Sequence, residues 1–302
     1  MSSYCNLKFA NRVLMICFII LIMPLCGCEN QTETNFIPME IDVNLITDKD
    51  IETLTTQNIF FGHMSVGYNI IDGIENIRTA SKRFSKIHMQ ELREGESANN
   101  PGLYHAKVGN NGFPKKKCDS FKTRLTEDRF GSKTNIAFFK FCYVDFRDNT
   151  DIIKIFNYYT ETTNYLKKEF PNLTIVHVTV PLQIHSWGIQ GMIENIIKGN
   201  LGNIRNGIGC FKRNLIKGDI ANIKRNEFNE MLVNTYNNID PIYDLAKVES
   251  TLPDGERVTF RHKGAVYFSL AKEYTSDGGH LNESGSFCAA RELLTTLADI
   301  KK

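Results

Sequence analysis

Short, almost unbroken apolar runs alternate along this chain with longer stretches of helical periodicity, and that alternation restricts the fold more than any other feature. Asn135 to Tyr143 is nearly continuous in apolar residues, the pattern of a strand buried on both faces. Asn58 to Phe61 and Leu173 to Val180 read the same way, and Ile242 to Leu245 reads as the last core strand. Lys86 to Glu91 and His105 to Val108 are weaker extended pieces. Between them, Val66, Ile70, Ile71, Ile74 and Ile77 recur on one helical face. Asp151 to Phe170 and Asn222 to Tyr236 are amphipathic helices, and Asn282 caps a closing helix with Ala289, Ala290, Leu293, Leu294 and Leu297 inward. Gly188 to Gly218, rich in Gly, Asn and Lys, reads as a partly helical excursion over the sheet. Strands alternating with helices predict an α/β fold, a parallel sheet covered on both faces.

The first residues read as an address. Lys8 and Arg12 precede an apolar run from Val13 to Leu25, shorter than the roughly 20 residues that span a bilayer. A basic start, a short apolar core and small residues describe a secretory signal. The ending Leu25-Cys26-Gly27-Cys28 resembles the lipobox of bacterial lipoproteins. That resemblance implies a signal over residues 1–27, acylation of Cys28 and an exported body held to a membrane of the bacterial envelope. Residues 28–50 are polar and read as a tether, and 51–302 as one domain.

A formal net charge of +2 gives no broad field for nucleic acid. Lys115-Lys116-Lys117, with Lys122 and Arg124, is the one basic cluster and reads as a solvated loop. Of eight cysteines, Cys118, Cys142, Cys210 and Cys288 fall in the body, widely spaced. They allow three pairings between which sequence does not choose. No zinc spacing is present.

Two segments carry chemistry. In Gly62-His63-Met64-Ser65-Val66-Gly67 a serine stands at a turn between the first strand and the following helix. Alone, Ser65 reads as a helix cap, because serine is favoured there. In Asp277-Gly278-Gly279-His280-Leu281-Asn282 a carboxylate precedes a histidine by three residues, just ahead of the last helix. Serine, histidine and aspartate are the parts of a nucleophilic triad, whatever their order in the chain.

Together these motifs resemble the SGNH hydrolases, or GDSL-type esterases, over about residues 56 to 300. The resemblance implies a flavodoxin-like three-layer α/β/α sandwich, with Ser65 as nucleophile, His280 as base and Asp277 as the acid that orients it. It also implies an oxyanion hole with a backbone donor from Gly109, in Gly109-Asn110-Asn111-Gly112. The chain departs from the family in reading Gly-His-Met-Ser at the first block. It also ends a strand with Phe141-Cys142-Tyr143-Val144-Asp145, without the asparagine that usually completes the hole. Asn110, Asn111 or Tyr143 is then the substitute donor. The implied activity is hydrolysis of an acyl or acetyl ester, on a carbohydrate, another envelope component or a small molecule, without metal or organic cofactor. An O-acyltransferase on the same site and a non-catalytic glycan binder are the alternatives. Tyr143, Phe146 and Trp187 lie near strand ends, as sugar platforms or as core.

Overall fold

A computed structural model of the chain describes residues 46–96, 98, 100–127, 131–185 and 208–300, without side-chain detail for 208–217. Cys28, the signal, most of the tether and Trp187 lie outside the described residues.

In chain order the body runs α1 (Asp48–Thr56), β1 (Asn58–His63), α2 (Val66–Ala80), β2 (Met89–Glu91), β3 (Gly102–Lys107), α3 (Pro114–Thr126) and β4 (Ile136–Phe139). It continues with α4 (Ile152–Glu169), β5 (Thr174–Ile175), β6 (His177–Val178), α5 (Ile208–Tyr236), β7 (Ile242–Tyr243) and α6 (Leu245–Ser250). The hairpin β8 (Thr259–His262) and β9 (Ala265–Phe268) precedes the closing helix α7 (Glu283–Ala298). Five parallel strands form the central sheet in the order β2-β3-β1-β4-β5. The run through β5 continues as β6, which pairs in parallel with β7.

The strand residues divide by parity between two cores, as a pleated sheet buried on both faces requires. Ile59 and Phe61 pack with Ile70 and Ile74 of α2 and Leu293 and Leu294 of α7 on one face. Phe60, Ala137 and Phe139 pack with Phe121 of α3, Tyr159 of α4 and Phe228 of α5 on the other. The result is an α/β/α sandwich with β1 at its centre.

Several expected boundaries move, each for a local reason. The first helix starts at Asp48, inside the stretch read as tether, because Thr47 and Asp50 close a reciprocal capping box. The last core strand stops at Tyr243 rather than Leu245, because the Asp244 side chain accepts the Lys247 N–H and caps α6. The apolar run ending at Tyr143 leaves the sheet after Phe139 and closes in a single 3-10 turn, Tyr143–Asp145. Helix α5 begins at Ile208, well before Asn222. The β8–β9 hairpin was not anticipated; its tight turn places both Lys263 (φ 49°) and Gly264 (φ 87°) at positive φ, as a type I′ turn requires. Cys118, Cys142 and Cys288 are free thiols, the first two buried. Among the described residues no helix is long and apolar enough to cross a membrane.

Candidate active site

Ser65 sits where β1 gives way to α2, at the carboxyl end of the central strand, where open parallel sheets gather ligands. Its backbone has φ 53° and ψ −116°, and the Gly67 N–H donates to the Met64 carbonyl at 3.1 Å. This is a type II′ turn with serine at the position that favours glycine, a conformation costing on the order of 1–3 kcal/mol. The serine hydroxyl caps nothing: Ser65 precedes α2, yet its side chain makes no cap hydrogen bond. It points instead at His280, with Oγ 2.7 Å from Nε2.

His280 is held by the loop that carries it. The Asp277 Oδ1 accepts the N–H groups of Gly279 (2.9 Å) and His280 (2.8 Å), and Oδ2 lies 2.7 Å from His280 Nδ1. The three-residue spacing lets one carboxylate fold the turn and grip the ring at once. With Nδ1–H donating to Asp277, Nε2 is left to accept from Ser65, the tautomer a general base needs. Partial burial pushes the Asp277 carboxyl up, but the hydrogen bonds from the His280 ring and from the two backbone N–H groups outweigh it. The net result holds the carboxyl down at about 2. Asn69 on α2 fixes the loop to the serine's helix by accepting the Leu281 N–H at 3.3 Å. Sequence reading missed Asn69, whose only signal is a polar residue four positions after the serine.

Tyr143 stands over the pair. Its ring meets the His280 ring edge-on, with centroids 5.6 Å apart, and its hydroxyl lies 3.4 and 3.5 Å from the two ring nitrogens. Gly279 admits it, since a Cβ there would come within 2.9 Å of the tyrosine ring. Burial first, then the Asp277 charge, raises the phenol, so it stays a proton donor. Buried Arg225 holds the Tyr143 carbonyl (Nε to O 3.0 Å) and also reaches the Phe146 carbonyl and the Gln183 side chain. Arg225 was not singled out from sequence, although it sits on the same inward helical face as Phe228 and Leu232.

Gly109 follows β3, the neighbour of β1, at φ 59°, and a Cβ there would stand 2.7 Å from the Lys117 backbone. Among the described residues neither its N–H nor that of Ser65 has a hydrogen-bond partner. Two free N–H groups on adjacent strand ends are what an anionic oxygen would need. The Asn110 side chain is exposed and makes no hydrogen bond among the described residues, while Asn111 accepts from Lys117 at 3.2 Å. Phe146 is core, 1% exposed.

Asp145, the residue matched in the third block of the resemblance, holds the two loops beside Ser65 together. Its carboxylate accepts the Gly112 N–H, the Cys142 N–H and Lys117 Nζ, each at 2.6 Å. Cys142 in turn directs its thiol at the Met64 carbonyl, 3.4 Å away. His63, where the sequence differs from the pattern it resembles, is wholly buried, with Nε2 3.0 Å from His105 Nδ1. Burial, then the neighbouring His105, drives it down to about 2, so it is a neutral packing group. Among the described residues no cluster of His, Cys, Asp and Glu is placed to hold a metal ion.

No family model matches the chain, and no characterised protein matches it in sequence. Among solved structures it is similar to a protein described as an acylhydrolase from Bacteroides fragilis NCTC 9343 (12% identity, 85% of this chain and 95% of that chain, TM-score 0.43). It is also similar to a protein assigned to the G-D-S-L lipolytic family from Desulfitobacterium hafniense DCB-2 (10% identity, 80% and 99%, TM-score 0.41). A third is an acetyl xylan esterase (14% identity, 78% and 97%, TM-score 0.39).

Proposed function

We propose that this chain is an exported serine esterase of the SGNH type, hydrolysing an acyl or acetyl ester. The observation that carries the reading is the unbroken contact from Ser65 Oγ to His280 Nε2 and from His280 Nδ1 to Asp277, 2.7 Å at each step. In the cycle, Ser65 Oγ attacks the acyl carbonyl and its proton passes to His280 Nε2. Asp277 steadies the imidazolium so formed. The oxyanion of the tetrahedral intermediate is held by the Ser65 and Gly109 N–H groups and by the Tyr143 hydroxyl, which takes the place of the family's asparagine. As the intermediate collapses, His280 gives its proton to the departing alcohol. Water then attacks the acyl-serine with His280 again as base, releasing the acid and restoring Ser65.

Short-chain p-nitrophenyl esters test this with the wild type beside Ser65→Ala. Turnover is expected in the wild type, with a loss of about 10⁶-fold in the variant, the scale on which losing a triad nucleophile is felt. Turnover that persists in Ser65→Ala rules the triad out. Adding sugar acceptors and following the acyl group separates hydrolysis from transfer. The lipobox supports anchoring through Cys28; incorporation of labelled palmitate, abolished by Cys28→Ser, tests it.

A further inference from the structure

The sheet order places β3 and β4 on either side of β1, so the loops that follow them flank the Ser65 turn. Helices α3 and α4, which those loops open, pack on the same face of the sheet. Between the loops lies a groove of about 490 Å³, walled by Gly112 to Lys116 on one side and by Arg147, Asp151 and Lys154 on the other. It adjoins the catalytic turn through Asp145, which binds Gly112 at the groove and Cys142 beside Met64.

The charge of this groove is one-sided. Asp145 is spent on Lys117, both side chains fully buried, and Lys115 is spent on Asp119 at 2.7 Å. That leaves Lys116, Arg147 and Lys154 against the single carboxylate of Asp151, which caps α4 through the Lys154 N–H. Among the described residues none of the three cations has a carboxylate within ion-pair distance. Phe113, 55% exposed, stands on the same wall with Lys116 Nζ 5.0 Å from its ring centroid. An exposed ring beside unpaired cations suits a sugar face that bears an acidic group.

Resting on the esterase reading, we propose that the groove is a subsite for an anionic glycan. The alcohol half of the ester is a sugar whose carboxylate or phosphate is held by Lys116, Arg147 and Lys154. The basic stretch read from sequence as a solvated loop is then divided. Lys117 is structural, Lys115 is paired, and Lys116 belongs to the subsite.

The test has a kinetic and a binding arm. In the first, an acetylated oligogalacturonide, an acetylated sugar phosphate and a neutral acetylated xylo-oligosaccharide are compared by kcat/KM. At least one anionic ester is expected to exceed the neutral one by about 10-fold, mostly through KM, with the advantage shrinking at high salt. The double variant Arg147→Ala/Lys154→Ala is expected to bring the ratio close to one. In the second arm, Ser65→Ala protein is titrated calorimetrically with de-esterified oligogalacturonate and with inorganic phosphate. Heat with the first alone assigns a carboxylate, and with the second alone a phosphate. Both responses are expected to vanish in the Arg147→Ala/Lys154→Ala background. No binding of either anion, binding indifferent to the double variant, or equal turnover of charged and neutral esters overturns the proposal. Arg147-dependent binding without turnover of any ester would leave the groove standing and remove the esterase reading. Ser65-dependent turnover without anion preference would do the reverse.

Discussion

Asp277 and Asp145 are the same side chain in two settings, each on a loop beside Ser65. Asp277 is 56% exposed in its side chain and grips a histidine through one oxygen and its own loop through the other. Asp145 is fully buried and gives both oxygens to fixed donors from two neighbouring loops. The first carboxylate is placed to respond when charge appears on the imidazole. The second is placed so that nothing near it changes. A carboxylate beside an active site is therefore read from its donors and its exposure, not from its proximity.

That contrast can be broken in four ways. Asp277→Asn should lower kcat by about 10⁴-fold, a loss of ~5.5 kcal/mol of transition-state stabilisation, because the wrong tautomer is then favoured. Its melting temperature should hardly move. The folded-state value of Asp277 lies below its unfolded one. Its contribution to stability is therefore present above about pH 4 and lost as pH falls through about 2, and exposure keeps it small. A collapse in melting temperature with activity retained would erase the distinction.

Asp145→Asn should do the opposite. It strands the Lys117 ammonium in the core at a cost of ~3–5 kcal/mol, or roughly 2–4 °C of melting temperature per kcal/mol for a body of this size. Pairing it with Lys117→Met should recover much of the loss; thermal denaturation of the single and double variants reads this. A stable single variant would show that the carboxylate ties nothing together.

Tyr143→Phe should cost about 10²–10³-fold in kcat with KM little changed, the range for one oxyanion donor. If KM alone rises, the hydroxyl is a substrate contact and the hole has another third donor. The smallest change in stability is expected of Ser65→Gly, which should abolish turnover yet raise stability by only ~1 kcal/mol in denaturant titration, since glycine adopts the type II′ turn without strain. A less stable glycine variant would mean that the hydroxyl stabilises the fold more than its backbone strains it.

Much of this was legible in the sequence. The contact between Ser65 and His280 could be anticipated because each stands beside a strong local signal: Ser65 just after a buried strand, and His280 just before an Asn-capped helix. The α/β architecture followed from runs buried on both faces. What escaped notice depends on contacts between distant segments. Asn69 acts across 212 positions and Arg225 across 82, and neither has a local pattern that announces a partner. The type I′ turn at Lys263-Gly264 escaped because lysine is an uncommon occupant of its first central position. Lys115, Lys116 and Lys117 read alike in a row, yet helical geometry buries the third and leaves the other two outside.

Ser65 and His280 are 215 positions apart, and the helices they precede, α2 and α7, pack into one core. The order of synthesis follows from that separation. A ribosome completes the serine's turn 215 positions before the histidine's loop, so over that stretch of elongation the proposed nucleophile stands without its proposed base. The hydroxyl acquires its partner only when α7 docks on α2, so on the proposed reading a chain cut short before His280 has no activity. With the export proposed above, a chain threaded unfolded through a membrane would form this contact only after crossing.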